Sequence, residues 1–123
     1  MIISLGLDLV ELGRMQQIWD RFGSRFAERI LSEQELAQLP QNPVEFLASR
    51  FAAKEAGAKA LGTGFSAGIT PRLIEMQKKT AGRPEMRFLG AAARAAQNLG
   101  VRFIHVSLSH TRQNACCVVI LEK

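Results

Sequence analysis

Three groups of residues in this sequence have the types and spacing to do chemistry. The first is Asp8, a carboxylate inside the apolar run IISLGLDLV. Burying a carboxylate uncompensated is costly, so Asp8 needs a partner. It either accepts N-cap hydrogen bonds from a helix beginning near Val10 or acts as a hard-metal ligand or acid/base group. The second group lies at 50–59, RFAAKEAGAK, followed by Gly62-Thr63-Gly64. Glu55 and Lys59 stand four apart in the favourable order, which as a surface ion pair is worth roughly a few tenths of a kcal/mol. Arg50 and Lys54 are also four apart and like-charged, an unfavourable spacing unless an anion or Glu55 lies close. Cations, one carboxylate, small alanines and a glycine-rich turn suit a phosphate-bearing ligand with a divalent metal. Mg²⁺ takes one or two protein carboxylates plus phosphate oxygens and water, and Asp8 and Glu55 could be those two. The segment is not a P-loop, because its lysine precedes the glycines and no G-K-[ST] follows.

The third group is 104–111, IHVSLSHT. Alternate residues of a strand share a face, so His105, Ser107 and Ser109 line one side and Ile104, Val106 and Leu108 the other. A lone strand histidine usually makes a structural hydrogen bond. A histidine and two hydroxyls on one face, ending in His110-Thr111, instead outline a polar site. Neither serine sits in a G-x-S-x-G elbow, which argues against a covalent hydrolase. Cys116 and Cys117 are neighbours on a strand and point to opposite faces, so they are core or half-buried residues rather than a shared metal site.

These groups need elements to hold them. Residues 2–10 read as a strand ending near Asp8. From Val10 to Phe22, Leu12, Met15, Ile18, Trp19 and Phe22 recur at helical spacing, and Gly23-Ser24 breaks or kinks that helix. Ser32-Glu33-Gln34-Glu35 is a capping-box pattern opening a short helix that Pro40 stops. The longest helix is expected over 44–61, with Leu47, Phe51, Ala58 and Leu61 near one face and Gly62 and Gly64 ending it. Strands are expected over 73–77 and 86–89 around the turn Ala81-Gly82-Arg83-Pro84, then an Ala-rich helix over 90–100. Strands over 103–109 and 115–121 form a hairpin. The class is α+β, with a small, mostly antiparallel sheet packed against one long helix.

Composition bounds the function. The chain has 123 residues, 16 Lys+Arg against 11 Asp+Glu, and 47% hydrophobic residues. One domain, residues 1–123, is expected at this length. Disorder needs a leaner composition, a disulfide scaffold more cysteines, and a membrane span a longer apolar run. The N-terminus lacks a signal-peptide pattern, so a soluble cytoplasmic protein is expected. The net charge of +5 favours an anionic ligand, nucleic acid or an acidic protein. So small a domain buries a limited core, which favours an oligomer.

Taken in order, four stretches resemble one family. Gly6-Leu7-Asp8 with Arg14 is similar to its G-x-D motif with an arginine six residues on. Arg50-Phe51-Ala52-Ala53-Lys54-Glu55-Ala56, with Lys59, Gly62, Thr63 and Gly64, resembles its [FW]-[AS]-x-K-E-[AS] helix. Ile74-Glu75 with Gly82-Arg83-Pro84 resembles its I-E-[VI]…G-[KR]-P segment, and 106–110 its V-S-[IL]-[ST]-H strand. The family is the holo-(acyl-carrier-protein) synthases, the small bacterial 4′-phosphopantetheinyl transferases. The resemblance implies the 4′-phosphopantetheinyl transferase-like fold. It also implies transfer of phosphopantetheine from coenzyme A to a serine of an apo acyl carrier protein, for fatty acid biosynthesis, with adenosine 3′,5′-bisphosphate released.

By that resemblance Asp8 and Glu55 hold Mg²⁺, and Lys59 binds a phosphate and stabilises the leaving group. Glu55, directly or through a metal-bound water, takes the serine proton. Arg50, Lys54, Gly62, Gly64, Arg83, Pro84, Ser107, Ser109 and His110 line the coenzyme A pocket, with His105 on the pyrophosphate side. A homotrimer with sites between protomers is implied as well. Arg14 and Arg21 are seven apart and Arg25 four further on. These would share a face if the helix ran through Gly23, and are expected to dock the acidic carrier. Two rival readings fit less well. A catalytically silent, carrier-binding relative would not need Asp8, Glu55 and Lys59 together. A nucleic-acid module would interleave aromatic residues with its cations, whereas Tyr is absent and Trp19 lies in an apolar helix stripe.

Overall fold

The apolar start of the chain forms β1 (Ile2–Glu11) in the computed structural model, which describes residues 1–78 and 82–123. The strand runs three residues past Asp8, and α1 (Leu12–Phe22) begins two residues later than periodicity predicts. The Leu12 amide bonds the Gln113 carbonyl at 2.8 Å, so the tertiary structure satisfies one of the helix's opening donors. Asp8 therefore caps no helix. Gly23, at φ +57, ends α1, and a separate helix, α2 (Ser24–Ile30), follows. Arg25 thus belongs to a second helix rather than to a continuation of the first.

The capping box forms as the pattern predicts. The Ser32 hydroxyl accepts from the Glu35 amide, the Glu35 carboxylate accepts from the Ser32 amide, and α3 (Glu33–Leu36) follows. The long helix, α4 (Val44–Leu61), has the expected bounds and closes on left-handed Gly62. The apolar face is joined by alanines at many other positions of the helix. Ala48, Ala52, Ala53, Ala56, Ala58 and Ala60 are buried along with Leu47 and Leu61, so neighbours cover almost its whole circumference. Small side chains permit this, because strands and helices can approach from every direction.

A 3₁₀ turn (Pro71–Leu73) leads into the hairpin β2 (Ile74–Lys78) and β3 (Pro84–Phe88). Ala81, the first residue of the expected turn, lies outside the described residues. Then come α5 (Gly90–Leu99), β4 (Phe103–His110) and β5 (Asn114–Glu122). The three-stranded sheet has the order β1-β5-β4, antiparallel throughout. Its inner face, with Ala115, Cys117, Val119 and Leu121 buried, packs on α4. Burial pushes the Cys117 thiol up to about 12, which leaves it unreactive. On the outer face the register aligns Leu5 with Ile120 and His105, and Leu7 with Val118 and Ser107. Leu5, Leu7 and Leu9 are 61%, 56% and 63% exposed, a row of leucines facing solvent in the single chain.

Candidate active site

Asp8 and α4 meet where β1 crosses the helix. The inner-face positions of β1 are Ser4, Gly6, Asp8 and Val10, so strand alternation aims Asp8 at α4. Lys59, in the last turn of α4, donates to Asp8 Oδ1 and to the Leu7 carbonyl, both at 3.0 Å. Glu55 lies one turn back on the same helix. Partial burial, followed by the nearby Asp8 charge, raises its carboxyl above the usual glutamate range, and Lys59 opposes this. The two carboxylates are thus close enough to feel each other, with a cation between their fields. A cleft of about 390 Å³ opens beside them, lined by Asp8, Arg14, Met15, Ile18, Phe26, Phe51 and Glu55.

Among the described residues no three His, Cys, Asp or Glu side chains gather to hold a metal. Two hard carboxylate donors still fit Mg²⁺, which binds through one or two carboxylates and fills its other positions with phosphate oxygens and water. Asp8 already accepts a cation, the Lys59 ammonium.

Other expected residues fall elsewhere. Arg83, Pro84, His105 and Ser107 line a second cleft of about 570 Å³ where β3 faces β4. His105 and Ser107 sit on the outer face of the sheet, so one chain does not bring them to Asp8, which is on the inner face. The His105 Nε2 is 2.9 Å from Glu122 Oε1, and His110 Nε2 is 3.4 Å from Glu45 Oε1. Ser109 is exposed near the end of β4. Arg50 is buried with its guanidinium 4.3 Å from the centre of the Phe46 ring. It borders a small cavity of about 210 Å³ shared with Gly82, Pro84 and Leu108, and its Nε has no partner among the described residues. Gly62 and Gly64 both adopt positive φ in the turn after α4, with open space where a Cβ would be.

Lys54 requires a correction. Expected in the coenzyme A pocket, it is fully buried on the opposite side of α4 from Lys59's partners. Its ammonium donates to Glu35 Oε1 at 2.6 Å, the Ile74 carbonyl at 2.7 Å and the Pro71 carbonyl at 3.0 Å, using all three protons. Glu35 Oε2 in turn accepts from the Met76 amide at 3.1 Å. The pair therefore occupies the edge of β2 that β3 does not cover, and its cation cannot face a phosphate. Sequence reading gave Glu35 its local capping role. No local signal tied it to a lysine 19 residues away.

Arg14, Arg21 and Arg25, expected to dock a carrier, are all exposed, with Arg21 5.2 Å from the centre of the Phe22 ring. Because α2 is a separate helix, it adds Arg29 to this surface, beside Arg25 and Phe26 in a groove of about 580 Å³. Arg29, Phe26 and the helix over 24–30 carry no expectation from the sequence, and neither does the joint lining of one cleft by Met15, Ile18, Phe26 and Phe51. Phe26 and Ala27, four and three residues before Ile30, form an apolar helical set that marks this element.

The chain is similar to known proteins over its whole length. The holo-[acyl-carrier-protein] synthase of Desulfovibrio desulfuricans is 52% identical over 122 residues, covering 99% of this chain and 98% of the relative. That of Photorhabdus laumondii is 49% identical, covering 99% and 98%. The crystal structure of the Neisseria meningitidis synthase superposes with a TM-score of 0.91 at 37% identity, covering both chains fully. A Bacillus anthracis synthase solved in complex with CoA (3′,5′-ADP) gives 0.80 at 33% identity, over 98% of this chain and 96% of that one. With a family model matching residues 4–119, the chain belongs to the 4′-phosphopantetheinyl transferase superfamily.

Proposed function

We propose that residues 1–123 form one holo-(acyl-carrier-protein) synthase domain. It moves 4′-phosphopantetheine from coenzyme A to a serine of an apo acyl carrier protein and serves fatty acid biosynthesis. The observation that carries this reading is the junction of Asp8, Glu55 and Lys59 at the β1–α4 crossing. A bond forms between the serine oxygen and the phosphorus that bears pantetheine. The bond from that phosphorus to the pyrophosphate bridge breaks, and adenosine 3′,5′-bisphosphate leaves. Asp8 and Glu55 would hold Mg²⁺, which would supply charge neutralisation at the pyrophosphate. Transfer of this kind depends mostly on positioning and electrostatics, and Lys59 supplies a mobile cation for the charge growing on the leaving phosphate. Glu55, which lines the cleft beside Asp8, would receive the serine proton.

Arg14 lines the cleft of Asp8 and Glu55, Arg25 and Arg29 line a neighbouring groove that shares Phe26 with it, and Arg21 is exposed, a set of cations that suits an acidic carrier protein. A homotrimer gives the solvent-facing row Leu5, Leu7 and Leu9 a partner surface. It would also let the Arg83–His105–Ser107 cleft of one copy complete the Asp8–Glu55–Lys59 site of the next. In that arrangement Arg50, Arg83, Pro84, His105, Ser107, Ser109 and His110, with the Gly62–Gly64 turn, receive the nucleotide. Two free cysteines suit a reducing compartment, in keeping with work in the cytoplasm. No helix among the described residues is long and apolar enough to cross a membrane.

The test is direct. Incubation with coenzyme A, Mg²⁺ and apo carrier should add one phosphopantetheine to one carrier serine, seen by mass spectrometry. No mass shift across several carriers and divalent metals would sink the reading.

A further inference from the structure

We infer that Gly6 is a positioning residue: it lets the Ala56 carbonyl rest against β1 and so sets the strand–helix spacing that brings Asp8 to Glu55 and Lys59. The inference rests on the reading of Asp8 and Glu55 as the metal-binding pair. Gly6 does not adopt positive φ, unlike Gly23, Gly62 and Gly64, so its backbone conformation is open to any residue. What it provides is space. A Cβ built there would overlap the Ala56 carbonyl oxygen and lie 2.8 Å from the Ala60 nitrogen and 3.0 Å from the Ala56 carbonyl carbon. All three are main-chain atoms of α4, and no side-chain rotation relieves them. The helix itself would have to move.

The contact lies close to the chemistry. Gly6 is two residues from Asp8 on the same strand face, and Ala56 is next to Glu55. Two hydrogen bonds hold the same seam on either side. The Ser4 hydroxyl donates to the Ala60 carbonyl at 2.5 Å, and Lys59 donates to the Leu7 carbonyl at 3.0 Å. Ala60 is in the last turn of α4, where carbonyls lack partners within the helix, so the seam also completes the helix end. Its neighbours are satisfied by the following turn: Gly62 and Gly64 donate to Lys59 and Ala58. Widening the seam therefore separates Asp8 from both helix residues at once.

Gly57 is the internal control. It is on the same helix, but a Cβ there would meet the side-chain ends of Ile74 at 3.0 Å and Met86 at 3.1 Å, on the face turned to β2 and β3. Gly57→Ala tests crowding of α4 away from the site. Mn²⁺, standing in for Mg²⁺, is titrated by electron paramagnetic resonance against the full chain with coenzyme A present. Wild type and Gly57→Ala should bind alike, and Gly6→Ala should bind about tenfold more weakly, as for the loss of a residue that orients a metal ligand. Transfer by Gly6→Ala should fall in kcat more than in KM for the carrier. Wild-type Mn²⁺ affinity in Gly6→Ala overturns the positioning role while leaving the transferase reading intact. If Gly6→Ala does not fold, Ser4→Ala loosens the same seam without overlap. It should cost about threefold in Mn²⁺ affinity, the scale of one hydrogen bond, and unchanged affinity there overturns the role equally. Absence of Mn²⁺ binding by the wild type would instead refute the two-carboxylate reading, and the positioning role with it.

Discussion

Lys54 and Lys59 are carried by one helix, five residues apart, and do opposite work. The Lys54 ammonium is 0% exposed and bonded to Glu35 and two main-chain carbonyls, so it ties α3, α4 and the edge of β2 together. Lys59 is 53% exposed and reaches along β1 to Asp8, which is 16% exposed. The difference lies in what surrounds each head group. A desolvated pair is rigid, because leaving either member unpaired is expensive. A solvated pair exchanges partners at little cost, which is what a ligand-binding cation needs. A basic residue in a motif therefore cannot be assigned to a phosphate until its environment is known.

The comparison can be broken at either end. Lys54→Met leaves the Glu35 carboxylate buried and unpaired, and the expected loss is about 3–5 kcal/mol of stability, read by urea denaturation. Wild-type stability in Lys54→Met would show that the buried pair is dispensable. Lys59→Met should keep the wild-type denaturation midpoint and slow transfer by about 10²-fold, comparable to removing one stabilising donor from a charged transition state. A large stability loss there would erase the contrast. The same environment controls Glu55. With its carboxyl raised in the fold above the unfolded value, the folded chain holds the proton more tightly, so stability declines as pH rises through that range. In the metal-free protein, carboxyl NMR should show the Glu55 titration move up in Lys59→Met and down in Asp8→Asn. The smallest effect is expected at the arginines proposed to meet the carrier. Arg14→Glu with Arg21→Glu should raise the apparent KM for the carrier by about tenfold at low salt, with kcat unchanged and the difference fading as salt increases.

Much of the scaffold was legible because its signals are local. The capping box at Ser32, the glycine after Leu61 and the alternation in 103–109 each depend on residues within a turn or a strand pairing. The errors came where a distant segment intervened. The Gln113 carbonyl takes the Leu12 amide and β5 pairs through Glu11, so β1 outruns the break expected at Asp8. Gly23 divides what periodicity would join, and the second helix brings Arg29 beside Arg25 in one groove. Lys54 looked like another exposed cation because Glu35, Pro71 and Ile74 approach it from three different elements.

By itself the sequence determined most of the element types, the chemistry available at Asp8, Glu55 and Lys59, and the family. Residue identity, helical or strand period and motif order carry that information without reference to distant contacts. Tertiary structure alone decided which lysine faces solvent. It also decided which face of β1 meets α4, and that Gly6 must lack a side chain for Asp8 to reach the helix. Those outcomes turn on desolvation and on main-chain atoms meeting at van der Waals distance, properties that exist only once separated segments are packed together.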